Sequence, residues 1–348
     1  MNESFMTNFA LEFAAGGFLF MPPNALHETL DEKNAELAKK CHIYAIVEKP
    51  KVVFNPDTFE VFQISELNGK KYVYLKLEFQ YRINNELKSE VKKIEDCEEE
   101  GIEIPLETTS VVLGEYPHNK IVCINDDKEI LYTFNAKDLA FFLDVKDTKE
   151  QKVLYIGQAF GNEKGSRNAV DRLKSHSTLQ KILADCLDTK PNSEISIGIF
   201  QFSRARILTA MDGMAKTAIS DNRDEKRLFN ALDATIPLKA EIAMIEAALI
   251  RYFQPEYNEK LKNDIPSATS KTLQACYKYD ISVLAVNFVT EFDEYRTSLL
   301  LYSDVAPKKT WHMVNIELHD PNERRTFFSL GDETLQRTDV IRRKKKKK

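Results

Sequence analysis

Lys152-Val153-Leu154-Tyr155-Ile156-Gly157, followed fifteen residues later by Arg172-Leu173-Lys174-Ser175-His176, is the stretch on which the fold of this chain turns. The apolar run Lys152–Ile156 predicts a strand, and Gly157 punctuates its end. Ser166–Leu187 carries Ala169, Val170 and Leu173 at helical spacing and predicts one helix. Arg172 and His176 are four apart, so on such a helix they share a side. Downstream, Pro237–Phe253 predicts a second helix, with Pro237 at its start and Gln254-Pro255 at its stop. Glu246 lies inside this helix. Its neighbours three and four residues away are Ile242, Ala243, Leu249 and Ile250, all apolar. A carboxylate in such a stripe is desolvated unless something compensates it. Glu241 has similar neighbours but falls in the first turn, where the helix dipole accounts for it.

Each of these residues has an ordinary reading on its own. Tyr155 is then a strand aromatic, Gly157 a turn residue, Arg172 a partner for a surface carboxylate, His176 a solvated helix histidine and Asn258 a cap or turn residue. Taken together and in this order, the set resembles the GIY-YIG nuclease family. Tyr155-Ile156-Gly157 matches the second signature triplet, and Arg172 and His176 match the helical pair. Glu246 and Asn258 match the metal-binding Glu on a later helix and the Asn past its end. The stretch from Glu246 to Asn258 is similar to the catalytic domain of bacterial excision-repair incision nucleases. The resemblance covers residues 138–265, little more than a third of the chain. The best match to the first triplet, Gly-Ile-Tyr, is Ala140-Phe141-Phe142 on a strand expected at Leu139–Val145, which has the aromatic ring but no hydroxyl.

The resemblance implies Mg²⁺-dependent hydrolysis of phosphodiester bonds, with Mn²⁺ as a substitute. Such cleavage needs a positioned water, a stabiliser for charge on phosphorus and a metal on a phosphate or leaving oxygen. Glu246, a single carboxylate, suits a hard ion that keeps most of its waters. Arg172 can clamp a phosphate oxygen. Tyr155 and His176 are the candidates for preparing the water. Gly157, Lys174, Lys181, Arg204 and Asn258 are the candidate substrate-binding residues. Residues 149–182 contain seven basic and three acidic side chains, the local excess a phosphate-facing groove needs.

Outward from this block, residues 1–137 read as a β-rich domain. His42–Val47, Lys51–Phe54, Val61–Ile64 and Lys71–Ile83 are strand candidates, with a turn at Asn68-Gly69 and an exposed acidic loop at Glu95–Glu103. Glu194–Phe202 is a further strand, and Arg204–Ile236 reads as an insertion in the nuclease-like unit. Residues 266–341 read as a small β-rich unit with strands at Ile281–Thr290, Ser298–Tyr302, His312–Leu318 and Thr326–Leu330. His312 and His319 read as structural or surface residues. The expected architecture is α+β: a small central antiparallel sheet flanked by helices, with β-rich regions before and after it.

Composition narrows the function classes. The chain has 348 residues, 49 basic and 54 acidic, for a net charge of −5. The last seven residues, 342–348, are all basic and predict a disordered tail. The three regions before it sum to −9, 0 and −3, which argues against general coating of nucleic acid. No run of about 18 apolar residues exists, so no membrane span is expected. The run Phe9–Met21 carries Glu12 and no Lys or Arg precedes Lys33, so it reads as core rather than a signal peptide. Five widely spaced cysteines, with no Cys-x-x-Cys pair, fit reduced thiols and a cytoplasmic location. The expected function is a DNA endonuclease of restriction or anti-phage defence, with RNA left open as a substrate. Homo-oligomers or a protein partner would bind through the N-terminal domain. The competing expectation is a catalytically weak nucleic-acid-binding or assembly module, autoinhibited by the acidic N-terminal block.

Overall fold

The computed structural model describes residues 5–94, 101–160, 168–211, 219–262, 270–292, 297–318 and 340–341. The chain is α+β. Its strands are β1 (Thr7–Met21), β2 (Ile43–Pro50), β3 (Val53–Phe54), β4 (Glu60–Leu67), β5 (Lys70–Ile83), β6 (Glu86–Ile94), β7 (Ile102–Ile104), β8 (Ser110–Leu113), β9 (Lys120–Ile124) and β10 (Ile130–Asn135). They continue with β11 (Glu150–Gln158), β12 (Ser193–Met211), β13 (Ile281–Val289), β14 (Glu291–Phe292), β15 (Thr297–Ser298), β16 (Leu300–Tyr302), β17 (Trp311–Glu317) and β18 (Val340–Ile341). The helices are α1 (Glu32–Lys40), α2 (Ala136–Phe142), α3 (Ala169–Leu173), α4 (Ser177–Thr189), α5 (Asn222–Leu232), α6 (Leu238–Phe253) and α7 (Gln274–Lys278). Among the described residues, no helix is long and apolar enough to cross a membrane.

One eight-stranded sheet, in the order β16-β11-β2-β12-β1-β13-β17-β18, organises the molecule. Its centre, β11-β2-β12-β1, is antiparallel. The pairs β11/β16, β1/β13 and β17/β18 are parallel, so the sheet is mixed. Strand alternation sends Ile43, Ala45 and Val47 to one face, and the register shift between Val153 and Tyr155 places Val153 and Ile156 on it too, where α6 covers them with Ile242, Ile245 and Leu249. The opposite face carries Tyr44, Ile46, Leu154, Ile197 and Ile199 against Leu173, Leu179 and Ile182 of α3 and α4. Burying each such side chain contributes about 1.5–3 kcal/mol.

This topology redraws the expected domains. β1 and β2 precede residue 137 yet sit in the middle of the sheet, so the boundary at 137 does not separate a domain. The independent unit is the segment between β2 and β11. Its strands β3–β7 form one sheet and β8–β10 another, and both enclose a core of their own with Phe54, Leu75, Phe79, Ile121 and Leu139. Of the C-terminal strands, β13, β16, β17 and β18 likewise join the main sheet, and β14 and β15 pair only with each other. The Arg204–Ile236 insertion begins as the far half of β12, paired with β1 as far as Met211, and resumes in α5. The strands expected from His42–Val47 and Lys71–Ile83 are present, and the run Phe9–Met21, read as core, lies in β1. The turn at Asn68-Gly69 is present too, with both residues at positive φ.

Two local expectations are overturned. Leu139–Val145 is not a strand; Ala136–Phe142 is helical, and Ala136, Leu139 and Ala140 are buried at the i, i+3, i+4 spacing of a helix face. Ser166–Leu187 is not one helix. α3 ends at Leu173 and α4 starts at Ser177, with His176 as its N-cap. The Thr326–Leu330 strand, His319, the 342–348 tail and residues 95–100 of the acidic loop lie outside the described residues; Ile102–Ile104 of that loop is strand β7.

Candidate active site

β2 and β11 run antiparallel with Gly157 opposite Tyr44 and Ile156 opposite Ala45. This register brings the two phenols together at the start of β2 and the end of β11, with ring centroids 6.2 Å apart. Gly157 is what permits it. A Cβ built there would stand 2.5 Å from Tyr44 Oη, 2.6 Å from its Cζ and 2.8 Å from Tyr155 Cε1. Gly157 therefore shapes the phenol pair by leaving room for it, and the expected substrate-binding role is not what this geometry shows. Ala140-Phe141-Phe142 lies on α2 in the inserted unit and not on a strand beside β11.

Tyr44 was outside the expected site. It is fully buried, and its hydroxyl lies 3.2 Å from Nε2 of buried His176. The other ring nitrogen, Nδ1, accepts from the backbone N–H of Leu179 at 3.2 Å, which caps α4. A nitrogen that accepts from an amide carries no proton of its own. The proton of neutral His176 is thus on Nε2, which donates to Tyr44 Oη. His176 so placed cannot take a proton from water at Nε2. It orients Tyr44 instead, which corrects the expectation that Tyr155 and His176 share the base role.

Tyr155 is half-buried. Burial and the nearby Glu246 carboxylate raise its pKa, while the Arg172 charge and a hydrogen bond from Tyr44 pull it down. Tyr44 is raised further, chiefly by burial and then by Tyr155, with Arg172 opposing. Arg172, at the end of α3, therefore acts on both phenols. It makes no ion pair with a carboxylate among the described residues, unlike Arg204, Arg206, Arg223 and Arg227. Its charge is left to act on the phenols.

Glu246 approaches the same place from α6. Its Oε2 accepts from Gln158 Nε2 at 2.7 Å. Burial pushes its pKa up to about 7, against the opposing hydrogen bonds of Gln158. Gln158, the residue after Gly157, was also missed. Among the described residues, no three His, Cys, Asp or Glu side chains gather as a metal site. A metal here would take Glu246 as its carboxylate and fill its remaining positions with water and substrate oxygens. That fits Mg²⁺, which dehydrates reluctantly. A buried carboxylate without a full counter-charge also fits an incoming cation.

The remaining expected residues divide. Asn258 is buried, its Oδ1 accepting from Ile156 N–H at 2.9 Å and its Nδ2 donating to Ile156 C=O at 2.8 Å. It clamps the middle of the Tyr155–Gly157 strand through both ends of its amide. Lys174, just past α3, is exposed near Arg172 in sequence. Lys181 is exposed on α4, its ammonium 5.8 Å from the Tyr257 ring centroid. Arg204 is not at the site: Nε and Nη2 donate to Glu241 at 3.0 and 2.6 Å, and Nη1 to the Ala234 carbonyl at 2.7 Å. It ties β12 to the start of α6. His312 is buried and structural, placed between Tyr252 Oη and the Lys309 carbonyl.

No family model, no curated protein and no solved structure matches this chain.

Proposed function

We propose that the chain is a metal-dependent endonuclease of the GIY-YIG type that hydrolyses phosphodiester bonds in DNA. The observation that carries this reading is the convergence of Tyr44, Tyr155, Arg172 and Glu246 from β2, β11, α3 and α6, with His176 behind Tyr44. The competing reading, a weak binding module, rests on the missing hydroxyl at Phe142. The Tyr44 phenol beside Tyr155 removes that motive. The N-terminal block is not a removable cover either, because β1 and β2 are central strands.

In the proposed mechanism, Arg172 holds a non-bridging phosphate oxygen and offsets the charge that builds on phosphorus. Tyr155, the more accessible phenol, holds the attacking water and, as the phenolate, accepts its proton while the water oxygen bonds to phosphorus and the bond from phosphorus to the leaving oxygen breaks. Arg172 favours the phenolate that this requires. Tyr44, fixed by His176, donates to Tyr155 and keeps its oxygen aimed at the water. A metal on Glu246, when bound, supplies Lewis-acid stabilisation of the phosphate and of the leaving oxygen. Lys174 and Lys181 are the exposed cations proposed to track the backbone.

The test is nicking of supercoiled plasmid, with RNA of matched sequence as a second substrate. The expected result is Mg²⁺-dependent nicking that EDTA abolishes and that Glu246→Gln, Arg172→Ala and Tyr155→Phe each reduce by at least about a hundredfold. Absence of metal-dependent cleavage across a range of salt sinks the enzyme reading.

A further inference from the structure

We infer a second ligand site, for a nucleoside phosphate, where the inserted unit meets the main sheet. A cavity of about 200 Å³ opens there, between α2 on one side and the ends of β1, β2, β11 and β12 on the other. It lies at the start of β11, four residues from Tyr155, or about 13 Å along the strand. It is therefore separate from the phenol pair.

Three features of the lining specify the ligand. Phe20, Phe141 and Phe142 supply aromatic faces and edges, and Phe142 is 55% exposed at the mouth. Rings in this number favour a planar aromatic group. Gln151, only 2% exposed, lines the cavity, and its Oε1 has no hydrogen-bond partner among the described residues. A buried carbonyl oxygen left in this state is costly, so it selects a ligand that brings an N–H donor. Lys137 supplies the third feature. It lines the same cavity and makes no ion pair among the described residues, whereas neighbouring Lys49 is held by Glu194 at 3.0 Å. Two carboxylates line the cavity as well: Glu194 faces Lys49, and exposed Asp138 accepts from Asn135 Nδ2 at 3.0 Å, which leaves Lys137 as the cation for an anion. A nucleobase with its phosphate combines an aromatic ring, an N–H donor and an anion. The volume suits one such ring system and lies below the several hundred Å³ of drug-sized sites.

The same chemistry has two sources: a free mononucleotide, or one nucleotide of a polynucleotide strand bound elsewhere on the protein. Either occupant touches α2 and the sheet together, and so links the inserted unit to the strand that carries Tyr155. The inference does not depend on nuclease activity.

The experiment is calorimetric titration of the full chain with AMP, GMP, CMP and UMP, the matching nucleosides, and tryptophan as an aromatic N–H ligand of different class. At least one nucleoside monophosphate is expected to bind saturably, with one site. Gln151→Met keeps the side-chain volume and removes the acceptor; it is expected to weaken that binding at least about tenfold while melting no lower than wild type. Lys137→Ala is expected to weaken the nucleotide and leave the nucleoside unchanged. Phe142→Ala, at a half-exposed ring, is the second variant and decides the matter should Gln151→Met fail to fold. Competition by a short single-stranded oligonucleotide assigns the source to a strand; its failure to compete assigns it to a free nucleotide. Absence of saturable binding by all four monophosphates, binding indifferent to both Gln151→Met and Phe142→Ala, or binding of tryptophan in their place overturns the proposal. Plasmid nicking is scored separately, so loss of this site and loss of the nuclease reading are distinguishable.

Discussion

Glu246 offers a test that reads the site through stability rather than turnover. Its carboxyl is buried, and its pKa rises from the ordinary 4.5 to about 7. Below pH 4.5 it is protonated both folded and unfolded, and its titration costs nothing. Between 4.5 and 7 the unfolded chain releases this proton while the folded one keeps it, so stability falls as pH rises. Above 7 the loss is complete. A shift of this size corresponds to about 3 kcal/mol, as an upper bound for a side chain not fully sealed from water. Glu246→Gln removes the titration and keeps an oxygen for Gln158. Urea denaturation of both proteins at pH 5 and pH 8 is the assay. The variant should be more stable than wild type by about 1–3 kcal/mol at pH 8, with the gap closing towards pH 5. His312, lowered to about 4 by burial, makes the protein lose stability in the opposite direction as pH drops from 6.5. That contribution is common to both proteins and cancels in the difference. Millimolar Mg²⁺ should stabilise wild type at pH 8 and leave the variant unmoved, because only the carboxylate draws the ion. A pH-independent gap, or equal stabilisation of both proteins by Mg²⁺, refutes the assignment of Glu246 as a strained, metal-seeking carboxylate.

Three further substitutions separate chemistry from scaffolding. Gly157→Ala drives a methyl into Tyr44 and should cost about 1–3 kcal/mol, with nicking down about a hundredfold because the phenols are displaced; wild-type nicking would show that their close approach is dispensable. Tyr44→Phe keeps the ring and loses the hydroxyl bonded to His176; thermal melting should drop by no more than about 1 kcal/mol equivalent, while the cleavage rate falls about 10²–10⁴-fold. Arg204→Ala should leave the affinity for DNA and its salt dependence unchanged in fluorescence anisotropy, and should lower stability by about 1.5–3 kcal/mol through the lost bonds to Glu241 and Ala234; a reduced salt slope would return Arg204 to the phosphate-binding groove.

Much of the candidate site is legible in local pattern. The strand ending at Gly157, the helix bounded by Pro237 and Gln254 and the apolar stripe around Glu246 all follow from periodicity and end signals within a few residues of each other. What is not legible depends on contacts distant in sequence. Tyr44 sits on a strand that its own residues predict, in His42-Ile43-Tyr44, yet nothing local says that this strand pairs with β11 about a hundred residues later. Leu139–Val145 is a short apolar run, which periodicity alone cannot assign to strand or helix; Ala136 and the inserted core decide for helix. His176 hides its role because the usual N-caps are Ser, Thr, Asp and Asn. A histidine capping α4 through Nδ1 changes from candidate base to a residue that orients Tyr44. Arg204 looks like a phosphate ligand by charge alone, and only the fold brings Glu241 against it.

The placement of the inserted unit bears on how the site is held. β2 and β11 are antiparallel neighbours, an arrangement usually joined by a short hairpin whose turn sets the register. Here the chain leaves at Pro50, builds a separately cored unit, and returns at Glu150 beside its point of departure, with Lys152 opposite Glu48. Because the closure cost grows only slowly with loop length, such an insertion is thermodynamically tolerable. No tight turn remains, however, to prevent a slip of the strands. A slip of one residue would turn Tyr44 and Ile46 to the face of α6 and bring Ala45 and Val47 to the face of α4. Register must therefore be set by side chains, and three devices on β11 do this together. Val153 and Ile156 pack into the α6 core, Asn258 grips both polar groups of Ile156, and Gly157 accepts the Tyr44 ring where any side chain would collide. The same residues that fix the register also hold the two phenols together. In this fold the alignment of the sheet and the assembly of the proposed active site are therefore one requirement, and a substitution at Asn258 or Gly157 acts on both.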